Sequence, residues 1–92
     1  MLPRLFDVIA DRKAKMPPDS YTTSLFTSGE DEILKKVGEE AMEVILAAKG
    51  QGQQRLIEET ADLFYHILVL LAYYDLSLAN IEAELEKRHT IE

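Results

Sequence analysis

The chain has 92 residues, of which 47% are hydrophobic and 29% are charged, and its formal net charge is −7. This length suits one domain, residues 1–92, and the composition argues against a disordered chain. The acidic charge argues against nucleic acid as a partner, and the absence of cysteine excludes disulfides and thiolate metal sites.

The N-terminus lacks a basic flank followed by a sustained apolar run, so no signal peptide is expected. The longest apolar run, residues 67–74, is much shorter than the roughly 20 residues of a bilayer-spanning helix. We therefore expect a cytoplasmic protein without a membrane partner.

Apolar residues at helical spacing predict a first helix over residues 2–13, which Pro17 and Pro18 end. Residues 20–27 fit either a short helix or a loop. Ser28 and Asp31 have the spacing of a capping box at the start of the next helix.

Two long helices follow, over residues 31–49 and 53–74, with a glycine-bearing break between them. The apolar stripe of the first of these helices is Ile33, Val37, Ala41, Val44, Ile45 and Ala48. Ser77 is the expected N-cap of a last helix over residues 78–89, which should bury Leu78, Ile81 and Leu85. The sequence thus predicts an all-α fold, a small bundle of four to five helices.

Each long helix carries an acidic pair with its members three residues apart, Glu40 with Glu43 and Glu59 with Asp62. Residues three apart share one face of a helix, so two antiparallel helices could direct the four carboxylates at one point. A set of carboxylate oxygens suits Mg²⁺, or Mn²⁺ in its place. Neither pair contains histidine, which argues against a di-iron site of the ferritin kind.

The strip that carries the second acidic pair is polar in its first half and apolar in its second. Its polar members lie within about 60° of arc. Along the helix the strip reads Arg55, Glu59, Asp62 and His66, then Val69, Leu70 and Tyr73. The apolar half must pack on something, most simply another subunit, which predicts a homodimer or higher homo-oligomer. Carboxylates near such an interface need either a bound cation or salt bridges from Lys36 and Arg55, and both alternatives stay open here.

Several basic residues are candidates for contacts with phosphate oxygens. They are Lys35, Lys36, Lys49, Arg55 and Arg88. Lys36 and Arg55 are the stronger candidates because each shares a face with an acidic pair. His66, one turn past Asp62, either supports the site or substrate or is hydrogen-bonded within the bundle.

The acidic pairs lie within two longer stretches, KKVGEEAMEV at residues 35–44 and EETADL at residues 58–63. Together with SYT at residues 20–22 and DLFYHILVLL at residues 62–71, this pattern resembles the all-α nucleotide pyrophosphatases of the MazG type. Within that superfamily it is most similar to the phosphoribosyl-ATP pyrophosphatase family. The resemblance extends from about Leu5 to Arg88.

This resemblance implies Mg²⁺-dependent hydrolysis of phosphoribosyl-ATP to phosphoribosyl-AMP and pyrophosphate, the second step of histidine biosynthesis, by a homodimer or larger assembly. By family position, the metal ligands are Glu40, Glu43, Glu59 and Asp62. Glu39 completes the catalytic set and would position or activate water. Tyr21 and Thr22 are implied to contact the small-molecule nucleotide substrate.

Two other functions stay open at this point. A pyrophosphatase of the same superfamily that cleaves a (d)NTP would use the same acidic site, so that only the flanking residues favour phosphoribosyl-ATP. A non-catalytic helical dimerisation or adaptor module would carry the acids as solvated surface residues and would not respond to Mg²⁺.

Overall fold

The computed structural model describes residues 1–89, and all regular structure in this range is helical. The helices are α1, Leu2–Lys15; α2, Tyr21–Ser28; α3, Glu30–Gly50; α4, Gln53–Tyr73; and α5, Leu78–His89. The predicted all-α class and the predicted number of helices are confirmed for this range. The segment that the sequence left open, residues 20–27, is helical.

The hydrophobic core lies where α1, α2 and α3 meet the C-terminal half of α4. Its buried members are Ile9, Leu25, Ile33, Leu68, Val69 and Ala72. Ile9, Ile33 and Val69 are the largest side chains that are fully enclosed. This core holds α3 against α4, and these two helices carry the acidic pairs.

The apolar half of the α4 strip packs inside the chain. Val69 is fully buried in the core, and Leu70 and Tyr73 pack against the same cluster. The prediction that this half of the strip packs on another subunit is therefore wrong. Its apolar partners come from α1 and α2, which both contact α4.

Apolar side chains on other faces remain exposed. Within α5 no residue is buried, and Ile81 and Leu85 are 41% and 59% exposed. The prediction that this helix buries Leu78, Ile81 and Leu85 is wrong for the single chain, in which Leu78 alone is partly buried. On α3, the predicted stripe is also wrong at Ile45 and Ala48, which face solvent while Ala47 is buried.

The junction of α2 and α3 depends on Gly29. The capping box predicted from Ser28 and Asp31 does not form, because Ser28 ends α2 and no side chain caps α3. Gly29 is the N-cap residue of α3 and has a φ of 95°, a conformation that favours glycine over residues with a side chain. The acidic residues of the first turn of α3 instead stabilise this end of the helix through their interaction with the positive end of the helix dipole.

The junction of α4 and α5 is a sharp turn. Ser77 caps α5 as predicted, since its hydroxyl oxygen accepts a hydrogen bond from the backbone N–H of Asn80 at 3.3 Å. Within residues 1–89, no single helix is both long and apolar enough to cross a bilayer. Helices α4 and α5 reach that length and composition only as a pair, bent by 105°.

Lys13 connects α1 to the C-terminal end of α4. Its ammonium group donates to the carbonyl oxygens of Ala72 at 2.7 Å and Tyr73 at 3.3 Å, and it pairs with Asp75 at 2.6 Å. The last carbonyls of a helix have no partner within the helix, and a cation there also stabilises the helix dipole. Lys13 therefore stabilises the C-terminal end of α4, the helix whose N-terminal half carries Glu59 and Asp62.

The variant Lys13→Met is expected to lower the melting temperature by about 4 to 8 °C, which corresponds to about 1 kcal/mol. Methionine keeps the apolar length of the side chain but donates no hydrogen bond. Thermal unfolding followed by circular dichroism measures the effect. Lys15→Met is the control, because Lys15 pairs with Asp11 at the surface and should change the melting temperature by less than about 2 °C. Equal melting temperatures for the two variants would contradict this role.

Candidate active site

Helices α3 and α4 form an antiparallel hairpin with a very short connection. Gln51 is the C-cap residue of α3, and Gly52, with a φ of 90°, is the N-cap residue of α4. The short turn brings the two helices side by side. Among the helices of residues 1–89, α3 and α4 contact each other more extensively than any other pair. The hairpin therefore places Glu40 of α3 opposite Glu59 and Asp62 of α4.

Three of the predicted acids converge. One carboxylate oxygen each from Glu40, Glu59 and Asp62 can be chosen such that all lie within 4.8 Å of one another. Glu59 is buried at 6% exposure, Glu40 is half-buried and Asp62 is exposed. We call these residues the convergent carboxylates. They lie in an open pocket of about 530 Å³, which is also lined by Glu39, Met42 and Glu43.

Glu43 and Glu39 share this pocket but are not among the convergent carboxylates. Glu43 is half-buried on the same face of α3 as Glu40. Its role as a fourth metal ligand stays a prediction, because it is not one of the three acids that converge. Glu39 pairs with Lys36 at 3.7 Å, one turn earlier on the helix. Lys36 therefore lies beside the pocket, where contact with a phosphate oxygen is feasible.

Arg55 pairs directly with one of the convergent carboxylates. Its Nη2 donates to Oε1 of Glu59 at 2.5 Å, and its Nη1 donates to Oε1 of Glu58 at 2.6 Å. The hydrogen bond to Glu58 is the main reason why the pKa of Arg55 is raised, and the charge of Glu59 adds to it. The salt bridge that the sequence offered as an alternative to a cation thus forms at Glu59.

His66 lies buried beside the convergent carboxylates. Its Nδ1 lies 2.8 Å from the carbonyl oxygen of Asp62, which can only accept, so Nδ1 carries the proton. Its Nε2 faces the hydroxyl of Tyr21 at 3.5 Å. Of the two interpretations that the sequence left open, the structure thus shows His66 hydrogen-bonded within the bundle.

Tyr21 and Thr22 of α2 are tied to α4 next to the site. The ring of Tyr21 stacks on that of Tyr65 with centroids 6.3 Å apart, and the hydroxyls of Thr22 and Tyr65 are hydrogen-bonded. Tyr21 is still 54% exposed. The sequence did not single out Tyr65 as a neighbour of Tyr21 and Thr22, although its position three residues after Asp62 places it on the same face of α4.

The remaining predicted phosphate contacts lie elsewhere. Arg88 is near the end of α5, where its Nε donates to Glu84 at 3.0 Å, and it does not line the acidic pocket. Lys35 and Lys49 are exposed on α3. Substrate contact by Arg88 stays a prediction.

The donors of the pocket fit a hard divalent cation. The convergent carboxylates offer oxygen ligands, as Mg²⁺ prefers, and their mutual repulsion at this separation is relieved by a bound cation. Burial raises the pKa of Glu40 above its ordinary value of 4.5. The charges of Asp62 and Glu59 raise it further, against the opposing effects of His66 and Lys36.

The raised pKa of Glu40 has a consequence for stability without metal. A carboxyl whose pKa is higher in the folded state stabilises the fold below its unfolded-state pKa, and this contribution is lost as pH rises through the folded-state pKa. At pH 7, Glu40→Gln should therefore raise the melting temperature of the metal-free protein, by roughly 2 to 4 °C given solvent screening. Near pH 4 the difference should vanish.

Thermal unfolding in EDTA at both pH values tests this prediction. Glu43→Gln removes the same charge from the same pocket outside the convergent carboxylates, so its effect at pH 7 should be smaller. A lower melting temperature for Glu40→Gln at pH 7 would contradict the account of repulsion in the site.

An all-helical domain whose central hairpin brings carboxylates from two helices into one pocket is the arrangement that the resemblance to all-α nucleotide pyrophosphatases implies. Comparison with known protein families narrows this class. The family model described as phosphoribosyl-ATP pyrophosphohydrolase matches residues 2–89. The chain belongs to the phosphoribosyl-ATP pyrophosphohydrolase family.

Curated relatives agree with this assignment, and three of them are each named phosphoribosyl-ATP pyrophosphatase. The relative from Geobacter sulfurreducens is 52% identical over 88 residues, covering 96% of this chain and 82% of the relative. The one from Pelotomaculum thermopropionicum is 55% identical over 84 residues, covering 91% and 86%. The one from Haloarcula marismortui is 50% identical over 90 residues, covering 96% and 92%. The predicted family and enzyme class, a hydrolase acting on a phosphoric anhydride, are confirmed.

Proposed function

We infer that the chain hydrolyses phosphoribosyl-ATP to phosphoribosyl-AMP and pyrophosphate, and that this reaction serves histidine biosynthesis. Family membership and the shared name of the relatives support the substrate. The observation that carries the chemistry is the convergence of Glu40, Glu59 and Asp62 within 4.8 Å.

We propose Mg²⁺ as the cofactor, with Mn²⁺ able to take its place. Glu40, Glu59 and Asp62 would hold the ion, and Glu43 in the same pocket would be a further ligand. When bound, the ion neutralises charge on the phosphate oxygens and stabilises the charge that develops during hydrolysis.

Glu39 in the pocket and polar residues around it would bind and orient the reacting groups. Glu39 orients the water that attacks a phosphorus of the α–β linkage; the P–O bond of that linkage breaks, and phosphoribosyl-AMP and pyrophosphate separate. Lys36 and Arg55 bind phosphate oxygens from opposite helices of the hairpin. Tyr21 and Thr22 contact the nucleoside portion from α2. No covalent nucleophile is required.

A (d)NTP pyrophosphatase on the same scaffold would use the same carboxylates, so the acidic pocket alone does not separate the two activities. A panel of phosphoribosyl-ATP, ATP and the four dNTPs, with pyrophosphate release as the readout, separates them. We expect kcat/KM for phosphoribosyl-ATP to exceed that for every other nucleotide. A preference for a dNTP would overturn the substrate and leave the site intact, whereas no release from any nucleotide would favour a non-catalytic module.

We also propose that the chain forms a homodimer and acts in the cytoplasm. The support for a dimer is an apolar groove of about 280 Å³ on the outer side of α4 and α5, which we call the α4–α5 groove. Its lining includes Phe64, Ile67, Leu71, Leu78, Ile81 and Leu85. Exposed apolar surface of this kind marks association sites, and a second copy of α5 supplies matching apolar side chains.

A further inference from the structure

Arg55 is the basic residue that pairs with a buried carboxylate of the site, Glu59. The side chain of Glu59 is only 8% exposed, whereas that of Arg55 is 48% exposed. A buried carboxylate is costly unless it is paired, and Arg55 supplies this pairing at 2.5 Å. The arginine therefore approaches a buried member of the convergent carboxylates from the solvent side.

The neighbouring basic side chains have other partners. Lys36 pairs with Glu39, and the protonated Nδ1 of His66 is directed at a carbonyl oxygen. Among the ion pairs resolved in residues 1–89, the pair of Arg55 and Glu59 is the one that reaches the convergent carboxylates. Arg55 thus holds the position of a counter-ion in the metal-free site.

A Mg²⁺ bound by the convergent carboxylates would compete with this guanidinium for Glu59. Both are cations, and a separation of a few ångströms makes their repulsion substantial even at the effective dielectric of a protein surface. Arg55 is well placed to give way, because its half-exposed side chain is not part of the core. It is also held by Glu58, so its Nη2 group can leave Glu59 while Nη1 stays anchored.

We propose that Arg55 is an exchangeable counter-ion, which neutralises Glu59 in the metal-free site and transfers to a substrate phosphate when Mg²⁺ binds. This inference rests on the proposed magnesium site. It assigns Arg55 a specific signature: its charge opposes binding of the metal and favours binding of the substrate.

The test measures Mg²⁺ affinity without substrate, from the rise in melting temperature with MgCl₂, for wild type and Arg55→Gln. In Arg55→Gln, the Mg²⁺ concentration at half-effect should fall about threefold to tenfold, since a repelling charge is removed. The metal-free melting temperature should fall as well, because Glu59 loses its partner. A purely structural role would weaken metal binding instead.

Two variants control for charge and shape. Arg55→Lys keeps the charge but not the two-pronged guanidinium, so it should lower the half-effect Mg²⁺ concentration less than Arg55→Gln does. Arg12→Gln removes an ion-paired arginine from α1 and should also change Mg²⁺ affinity by less than about twofold, because a distant charge is screened by salt. The second measurement is the KM for phosphoribosyl-ATP at saturating Mg²⁺, which should rise at least about tenfold in Arg55→Gln.

The outcomes distinguish this proposal from the one on which it rests. If Mg²⁺ does not stabilise the wild type, the magnesium site fails and the exchange fails with it. If the wild type binds Mg²⁺ but Arg55→Gln binds it equally or more weakly, the exchange alone is overturned. An unchanged KM would overturn the transfer of Arg55 to phosphate.

Discussion

Replacing Asp62 by asparagine is expected to reduce pyrophosphate release from phosphoribosyl-ATP by at least about a hundredfold at millimolar Mg²⁺, because a lost metal ligand costs several kcal/mol of transition-state stabilisation. Asparagine has nearly the same size but lacks the negative charge that holds a divalent cation. Asp62 is exposed, so the fold should tolerate the change. A coupled assay for pyrophosphate measures the loss directly.

The matched control is Asp7→Asn, which removes the same charge from an exposed residue of α1 outside the acidic pocket. This variant should keep its activity within about twofold of wild type, since a distant surface charge is largely screened. The melting temperature of Asp62→Asn in EDTA shows whether the fold is retained. Activity within a few-fold of wild type in Asp62→Asn would contradict the assignment of the convergent carboxylates as the metal site.

Phe64→Lys is expected to convert a homodimer into a monomer. Phe64 is 46% exposed in the single chain and lies in the α4–α5 groove. A lysine there extends into solvent in the monomer, but its ammonium group would be buried without a partner in a dimer that covers the groove. Size-exclusion chromatography with light scattering at micromolar concentration should show the mass of two chains for wild type and of one chain for the variant.

Val8→Lys is the control for introducing a charge at an exposed apolar residue. Val8 is 41% exposed on α1 and does not line the groove, so this variant should remain dimeric. A dimeric Phe64→Lys protein would mean that copies associate through another face. A monomeric wild type would contradict the homodimer itself.

The acidic site could be predicted in large part because its geometry depends on local rules. The spacing of Glu59 and Asp62 places both on one face of α4, and the glycine-bearing break at residues 50–52 lets α4 return alongside α3. With the two helices antiparallel, Glu40 of α3 comes to lie opposite Glu59 and Asp62 of α4. The position of Glu43 depends on the detailed rotation of α3, which periodicity does not define to within a few ångströms.

What covers each face could not be predicted in the same way. Periodicity shows that Val69 lies on an apolar strip, but not that Ile9 and Leu25 reach it from α1 and α2. Those contacts join residues far apart in the sequence, so no local pattern reports them. At Leu85 the sequence predicted burial within the chain, because α5 is amphipathic. In the structure α5 follows a bend of 105°, and Leu85 is exposed.

Side-chain pairing was predictable only as a set of alternatives. The sequence places Arg55 and Glu59 one turn apart on α4, a spacing typical of ion pairs. Whether Arg55 contacts Glu59 or points away depends on the burial of Glu59, which follows from the packing of α3 against α4. The structure shows the salt bridge at Glu59, which is also one of the carboxylates that the proposed Mg²⁺ would bind.

The most direct test of the account is pyrophosphate release from phosphoribosyl-ATP by the purified chain, measured with Mg²⁺ and again after removal of the metal with EDTA. We expect turnover with Mg²⁺, its loss in EDTA, and its recovery when Mg²⁺ is restored in excess. Turnover that persists at the same rate in EDTA, or no turnover with Mg²⁺ present, would contradict a magnesium-dependent hydrolysis at Glu40, Glu59 and Asp62.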